Sequence, residues 1–256
     1  MSPAELISAF LIIGAAGVFI LLERIRPYNP GQKVLREGFF DDLALYTIAQ
    51  SYILGIFIFS FLIRNVDDWT GLSRMRLLEG WPLWGQLLLF LVTHDLYIYW
   101  MHRLQHGNRF LWRLHEAHHS PRTVDWLSGS RSHALEILIN QTVEFMPIVL
   151  LGASPEVIPL KGVVSAVWGM YIHSNLDIRS GALQKVFNGP EMHRWHHTTG
   201  KGRNRNFATK LAVWDWMFGT AYLPAGEKAA QYGLKTPFPG HYLRQFVFAF
   251  RNFRRA

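Results

Sequence analysis

The sequence has no cysteine, and only 17% of its residues are charged, where ordinary soluble chains carry about 25%. The first absence excludes disulfides, thiolate zinc sites, iron–sulfur clusters and a cysteine nucleophile. The second makes a fully wetted surface hard to build. Acidic side chains are the scarcest charge: 18 Asp and Glu stand against 26 Lys and Arg, a formal net charge of +8. Half of the chain is apolar, which excludes a disordered protein. No internal repeat and no low-complexity tract breaks the sequence. What it has in excess is histidine, with 12 residues. A metal held by this chain must therefore draw most of its ligands from imidazole.

The apolar residues fall in long runs. Residues 4–22 carry a single charge, Glu5, and reach membrane-spanning length. No basic segment precedes them and no small-residue cleavage site follows, so they read as an anchor rather than a signal peptide. Residues 43–63 hold no charge, and 82–101 are apolar except for His94 and Asp95. Two weaker runs, 137–151 and 157–173, contain Glu144, Pro147 and Lys161 and meet at a Gly-Ala-Ser-Pro turn, the pattern of a helical hairpin. These runs predict an all-α fold: an integral membrane helical bundle of about four to five membrane helices, with a cytoplasmic helical cap.

Arg24, Arg26, Lys33 and Arg36 follow the first run and no Lys or Arg precedes it. Cytoplasmic loops carry the Lys/Arg excess, so loop 24–40 is expected inside, and with it 102–134 and 174–256. Arg64, Arg74 and Arg76 then lie outside and argue mildly against this topology. Three parts follow: an N-terminal anchor and basic loop (1–40), a central body (41–222) and a basic tail (223–256). Arg251, Arg254 and Arg255 of the tail suit anionic headgroups. Because the positive charge flanks the membrane runs, no nucleic-acid partner is expected.

The histidines form three clusters: His102-Arg-Leu-Gln-His106, His115-Glu-Ala-His118-His119 and His193-Arg-Trp-His196-His197. At this histidine frequency, H-x-x-H-H is expected by chance about 0.03 times per chain; it occurs twice. Residues three and four apart share a helix face, so 102/106, 115/119 and 193/197 can each offer two imidazoles to one centre. Neighbours such as His118 and His119 diverge by about 100° on a helix and cannot easily serve one metal from the same side. Eight imidazoles divided in this way suit two metals with about four nitrogens each.

Two rival patterns overlap the second cluster. His115-Glu116-x-x-His119 reads as the H-E-x-x-H of zinc hydrolases with Glu116 as base, but it leaves the other clusters unused. Glu116-x-x-His119 alone lacks the second E-x-x-H that soluble di-iron bundles need. A non-enzymatic histidine-rich metal transporter is a third reading, though transport needs ligands along a path within the spans. Asp95 lies within about 40° of His102 and His106 around a helix. It reads as an acceptor for the imidazole N–H of another cluster. His94 falls about 80° off that face, where packing outweighs ligation.

The three clusters, opened by Asp95-x-x-x-Tyr99-Trp100-x-His102-Arg103-x-x-His106, resemble the fatty acid hydroxylase/sterol desaturase superfamily of integral membrane proteins. So do Ser130-Arg131-Ser132-His133-x-x-Glu136 and Trp214-Asp215-Trp216-Met217-Phe218-Gly219-Thr220, and the likeness covers roughly 40–222. It implies that 41–222 is the catalytic domain and that nine histidines bind metal, namely the eight of the clusters and His173. It further implies Asn175 as a nearby ligand (Asp177 stands where some members have a histidine). His133 reads either as a residue supporting the ligands or as part of the loop structure. Two iron ions and O₂ as co-substrate would then hydroxylate or desaturate a C–H bond of a lipid. Electrons would come from a ferredoxin, cytochrome b5 or flavoprotein reductase. The membrane would be the inner membrane of a bacterium or the endoplasmic reticulum of a eukaryote.

Overall fold

Each long apolar run winds into a helix, the one way a lone segment satisfies its own backbone groups away from water. The structure, a computed structural model, describes residues 3–252. Its helices are α1 (Pro3–Ile25), α2 (Asp41–Thr70), α3 (Leu83–Gly107), α4 (Arg109–His119), α5 (Ala134–Leu150), α6 (Val157–His173), α7 (Pro190–His196), α8 (Val213–Met217) and α9 (Tyr242–Phe248). Among the described residues there is no strand; Pro27 with Leu176 and Thr198 with Tyr232 form isolated bridges. The fold is all-α, as the runs predict.

By length and composition, α1 (23 residues) and α2 (30 residues) can cross a membrane. α6 is apolar but shorter, at 17 residues. α3 runs for 25 residues, yet it includes His94, Asp95, His102, Arg103 and His106. The outward faces are greasy: Phe10 on α1 is 74% exposed, Tyr52 on α2 70% and Trp84 on α3 71%. Bare aromatic and aliphatic surface on this scale marks a face that meets lipid or another apolar partner.

α1 packs along α6, and its lower end is built into the body. Glu23, 3% exposed, accepts the backbone N–H of Trp126 and of Asn175, both at 2.8 Å. Phe19, Phe39, Trp126, Leu127 and Leu176 form one apolar cluster around that joint. In the following loop, Arg36 forks onto Asp125 at 2.7 and 3.0 Å and also reaches Asp42 at 2.7 Å. Arg131 forks onto the same Asp42 at 2.7 and 3.0 Å. Two arginines alternating with two carboxylates leave no buried charge unpaired. This ladder pins segment 120–131 beneath α2.

The tail folds back rather than trailing. Arg251 donates to both oxygens of Glu116, at 2.8 and 2.9 Å, so it is an internal partner and not a free headgroup cation. Arg254 and Arg255 lie outside the described residues.

Candidate metal centre

Four helices carry nine histidines to one place. His102 and His106 end α3. Only Asn108 separates that helix from α4, and its Oδ1 accepts from the N–H of Phe110 and Leu111 at 2.9 and 3.1 Å. This cap satisfies the new helix's first donors and turns the chain sharply enough for α4 to lie against α3. His115, His118 and His119 thereby return to the rings they follow. His173 ends α6, and α7 with its flanking residue supplies His193, His196 and His197. A proline at the first position of α7 starts that helix without wasting a donor.

The rings sort into two groups. Ligand nitrogens of His102, His106, His115, His119 and His196 lie within 4.8 Å of one another, and so do those of His118, His173, His193 and His197. The pairs 102/106, 115/119 and 193/197 each stay together, and the adjacent pairs 118/119 and 196/197 split between groups, as helical spacing requires. The division is five and four rather than four and four. The groups adjoin: the rings of His119 and His197 are 4.6 Å apart and those of His115 and His118 are 5.0 Å apart.

The protons on these rings are fixed from behind. His102 Nδ1 donates to the Phe207 carbonyl at 2.7 Å, His196 Nδ1 to the Arg205 carbonyl at 2.7 Å, and His173 Nδ1 to the Gly169 carbonyl at 2.8 Å. His115 Nδ1 donates to Glu136 at 2.8 Å and His106 Nδ1 to Asn204 at 3.2 Å. A neutral imidazole with Nδ1–H presents a bare lone pair on Nε2. Nε2 of His102, His115 and His196 is buried without a protein partner. His173 Nε2 faces Nε2 of His118, His193 and His197 at 3.3, 3.0 and 3.2 Å. Converging lone pairs repel unless a cation lies among them, so the donor set fits two metal ions held by nitrogen alone. Burial, reinforced by neighbouring rings, holds His115, His118, His119, His193, His196 and His197 well below the ordinary imidazole value. They are neutral at pH 7 and free to ligate.

Other expected residues are placed differently. Asp95 accepts no imidazole: Oδ1 takes Thr209 Oγ1 and Lys210 N, at 2.7 and 2.9 Å, and Oδ2 takes Leu211 N and Trp214 Nε1, at 2.9 and 3.0 Å. It clamps one side of the loop that supplies the Arg205 and Phe207 carbonyls. Asp215 clamps the other side, accepting Phe207 N, Ala208 N and Thr220 Oγ1 at 2.8, 2.9 and 2.7 Å. Between the two carbonyls sits Asn206 with φ +56°, a left-handed conformation that asparagine tolerates. Asn175 turns away to the backbone of Asn29, and Asp177 pairs with Lys228 at 2.9 Å. Neither belongs to a histidine group. His133 caps α5 by accepting Leu135 N and donates to the Phe246 carbonyl. It anchors the tail helix α9, because its ring stacks on Phe246 at 4.6 Å.

Sequence reasoning missed two residues close to the rings. Glu136 stood in a quoted motif, yet its role behind His115 needed the fold. Gly129 is the other: a Cβ there would collide with the His173 ring, so only glycine lets segment 128–130 cross it. Glu136→Leu removes the acceptor behind His115. It is expected to weaken metal retention about 10- to 100-fold, read as loss to a competing chelator. Retention equal to that of the parent protein contradicts the role.

The family model described as fatty acid hydroxylase matches residues 87–220, which hold all nine histidines. The chain is 34% identical over 157 residues to the ornithine lipid hydroxylase of Rhizobium tropici, covering 61% of this chain and 47% of that protein. It is 33% identical over 164 residues to the alkylglycerol monooxygenase of Danio rerio, covering 62% and 34%. A very-long-chain aldehyde decarbonylase of Oryza sativa subsp. japonica is 27% identical over 160 residues, covering 62% and 52%. The chain spans about half the length of these relatives, or less. No solved structure matches it.

Proposed function

We infer from one fact, that this chain belongs to the fatty acid hydroxylase family, that it is a membrane di-iron oxygenase acting on a C–H bond of a lipid. The observation that carries the reading is the pair of adjoining all-nitrogen sites, five histidines beside four. Imidazole suits several transition metals; the names of the relatives, a lipid hydroxylase and a monooxygenase, favour iron and oxygen chemistry. Two irons bound there would supply O₂ activation and electron storage. Hydroxylation consumes one O₂, two electrons and two protons, and yields an alcohol and water. In this reading the electrons come from a ferredoxin, cytochrome b5 or flavoprotein reductase.

The chain's own residues do the rest. Carbonyls of Arg205 and Phe207, with Glu136, hold rings at fixed tautomers and angles. A cavity of about 210 Å³ reaches His102, His115, His118, His173 and His193 and continues between α3, α5 and α6. Ile98, Met101 and Ile172 give it apolar walls, which hold an alkyl chain and exclude water.

In this reading α1, α2 and α3 cross the membrane, and α5 and α6 form a returning hairpin. His102 and His106 at the end of α3 and His173 at the end of α6 then share the cytoplasmic side with Glu136 at the start of α5. Trp69, Trp81 and Trp84, all exposed, belong to the opposite end of α2 and α3 and suit the far interface.

The zinc-hydrolase alternative needs Glu116 as base, but both its oxygens are taken by Arg251. Glu116→Gln is therefore expected to keep most of the oxidation rate, measured as O₂-dependent product; a hydrolase would lose its base. The reading itself is tested by lipid profiling of cells with and without the chain, under air and under nitrogen. An oxidised lipid that requires both chain and air is expected; a hydrolysed lipid formed equally under nitrogen contradicts it.

A further inference from the structure

The cavity beside the histidines has a second end that the oxidation chemistry does not use. His94 on α3, Glu144 on α5 and Ser165 on α6 line it. Each stands eight residues from a residue of the metal layer on its own helix: His94 from His102, Glu144 from Glu136, Ser165 from His173. At 1.5 Å per residue all three lie about 12 Å from that layer. Three helices thus place a polar level at one depth inside the bundle, where ionisable groups are costly and mark function.

Lys161, fully buried, sits behind this level and donates to Glu144 Oε1, as does Ser165 Oγ at 2.9 Å. The ion pair neutralises itself. Lys161 Nζ also lies 3.3 Å from His94 Nδ1. An ammonium has only hydrogens to give, so Nδ1 accepts and the ring proton resides on Nε2. That Nε2–H is buried without a partner in a side chain only 9% exposed. Among the described residues every hydrogen bond to Glu144 falls on Oε1, and Oε2 accepts none. The level therefore offers one buried donor without a partner, which a native interior rarely leaves open, beside a carboxylate oxygen that takes no protein hydrogen bond.

We propose that His94 and Glu144 form a polar subsite for an uncharged lipid group that both accepts and donates a hydrogen bond, a hydroxyl or secondary amide, about 12 Å from the metal layer. This rests on the lipid-oxidation reading. It adds that a substrate carries such a group at a set distance from the carbon oxidised, so that these two side chains fix which carbon meets the metals. Glu144 Oε2 receives the substrate's hydrogen and His94 Nε2–H donates to its oxygen.

The test uses the full-length metal-loaded protein in lipid nanodiscs, with partition of tritiated probes measured against empty discs. The probes are 1-hexadecanol, hexadecyl methyl ether, which cannot donate, and palmitate. The alcohol is expected to bind about tenfold more tightly than the ether, the worth of one well-made hydrogen bond. That preference falls to about onefold in Glu144→Gln, whereas His94→Phe weakens alcohol and ether alike by about tenfold, because His94 donates to either oxygen. Glu144→Gln leaves Lys161 without its counter-charge; if that variant does not accumulate, the alcohol preference of the parent protein and the common loss in His94→Phe decide. Equal binding of alcohol and ether by the parent protein, or binding of both probes unchanged by His94→Phe, overturns the subsite. Tighter binding of palmitate also overturns it and assigns this end to an anion, with Lys210 of the cavity lining as its counter-charge. Intact alcohol preference in a protein that oxidises no lipid overturns the proposed activity and leaves the subsite standing.

Discussion

His118→Ala and His196→Ala are each expected to abolish turnover while the protein still inserts and accumulates in the membrane. The two rings belong to different groups, the four and the five, so each variant empties or distorts a different ion. Disturbing only the partner behind a ligand costs about 10- to 100-fold; removing the ligand itself is expected to cost more than about 100-fold by the same reasoning. Bound metal should fall by about one ion per chain in each variant. Membrane fractionation and O₂ consumption read both arms, and near-normal turnover by either variant contradicts the two-group geometry.

Asp95→Ala is expected to strike stability before chemistry. Its carboxylate, fully buried, takes four donors from segment 209–214, two of them backbone N–H groups. A buried donor left unpaired costs about 1–3 kcal/mol. The loss is therefore several kcal/mol, of the order of a domain's whole stability. Because the loop carries the carbonyls that hold His102 and His196, metal is expected to leave with the fold. In detergent, the melting temperature should fall by roughly 10 °C. Asp95→Asn, which keeps one acceptor oxygen, should fall in between. A melting temperature unchanged by Asp95→Ala contradicts the clamp.

The contrast between His102 and Asp95 explains what the sequence discloses. The clustered histidines declare themselves through spacing, because one helix sets which rings share a face. That rule alone divides His118 from His119 and His196 from His197. The helices from apolar runs are legible for the same reason: Pro3–Ile25 and Asp41–Thr70 are local consequences of hydropathy. Asp95 shares a face with His102, yet its partners stand at 209–214. Nothing local tells an imidazole N–H from a loop backbone at that distance. His133 follows the second cluster but bonds to Phe246, and Gly129 matters only because His173 crosses it. Asn175, next to His173 in sequence, faces the first loop instead. Residues fixed by one helix were legible, and those fixed by contacts between distant segments were not.

The most direct measurement is metal content together with X-ray absorption of the purified full-length protein. The five-and-four arrangement predicts two ions per chain with a first shell of imidazole nitrogens and no sulfur, and the proposed oxygenase function predicts that both are iron. One ion per chain, or two zinc ions, would contradict it.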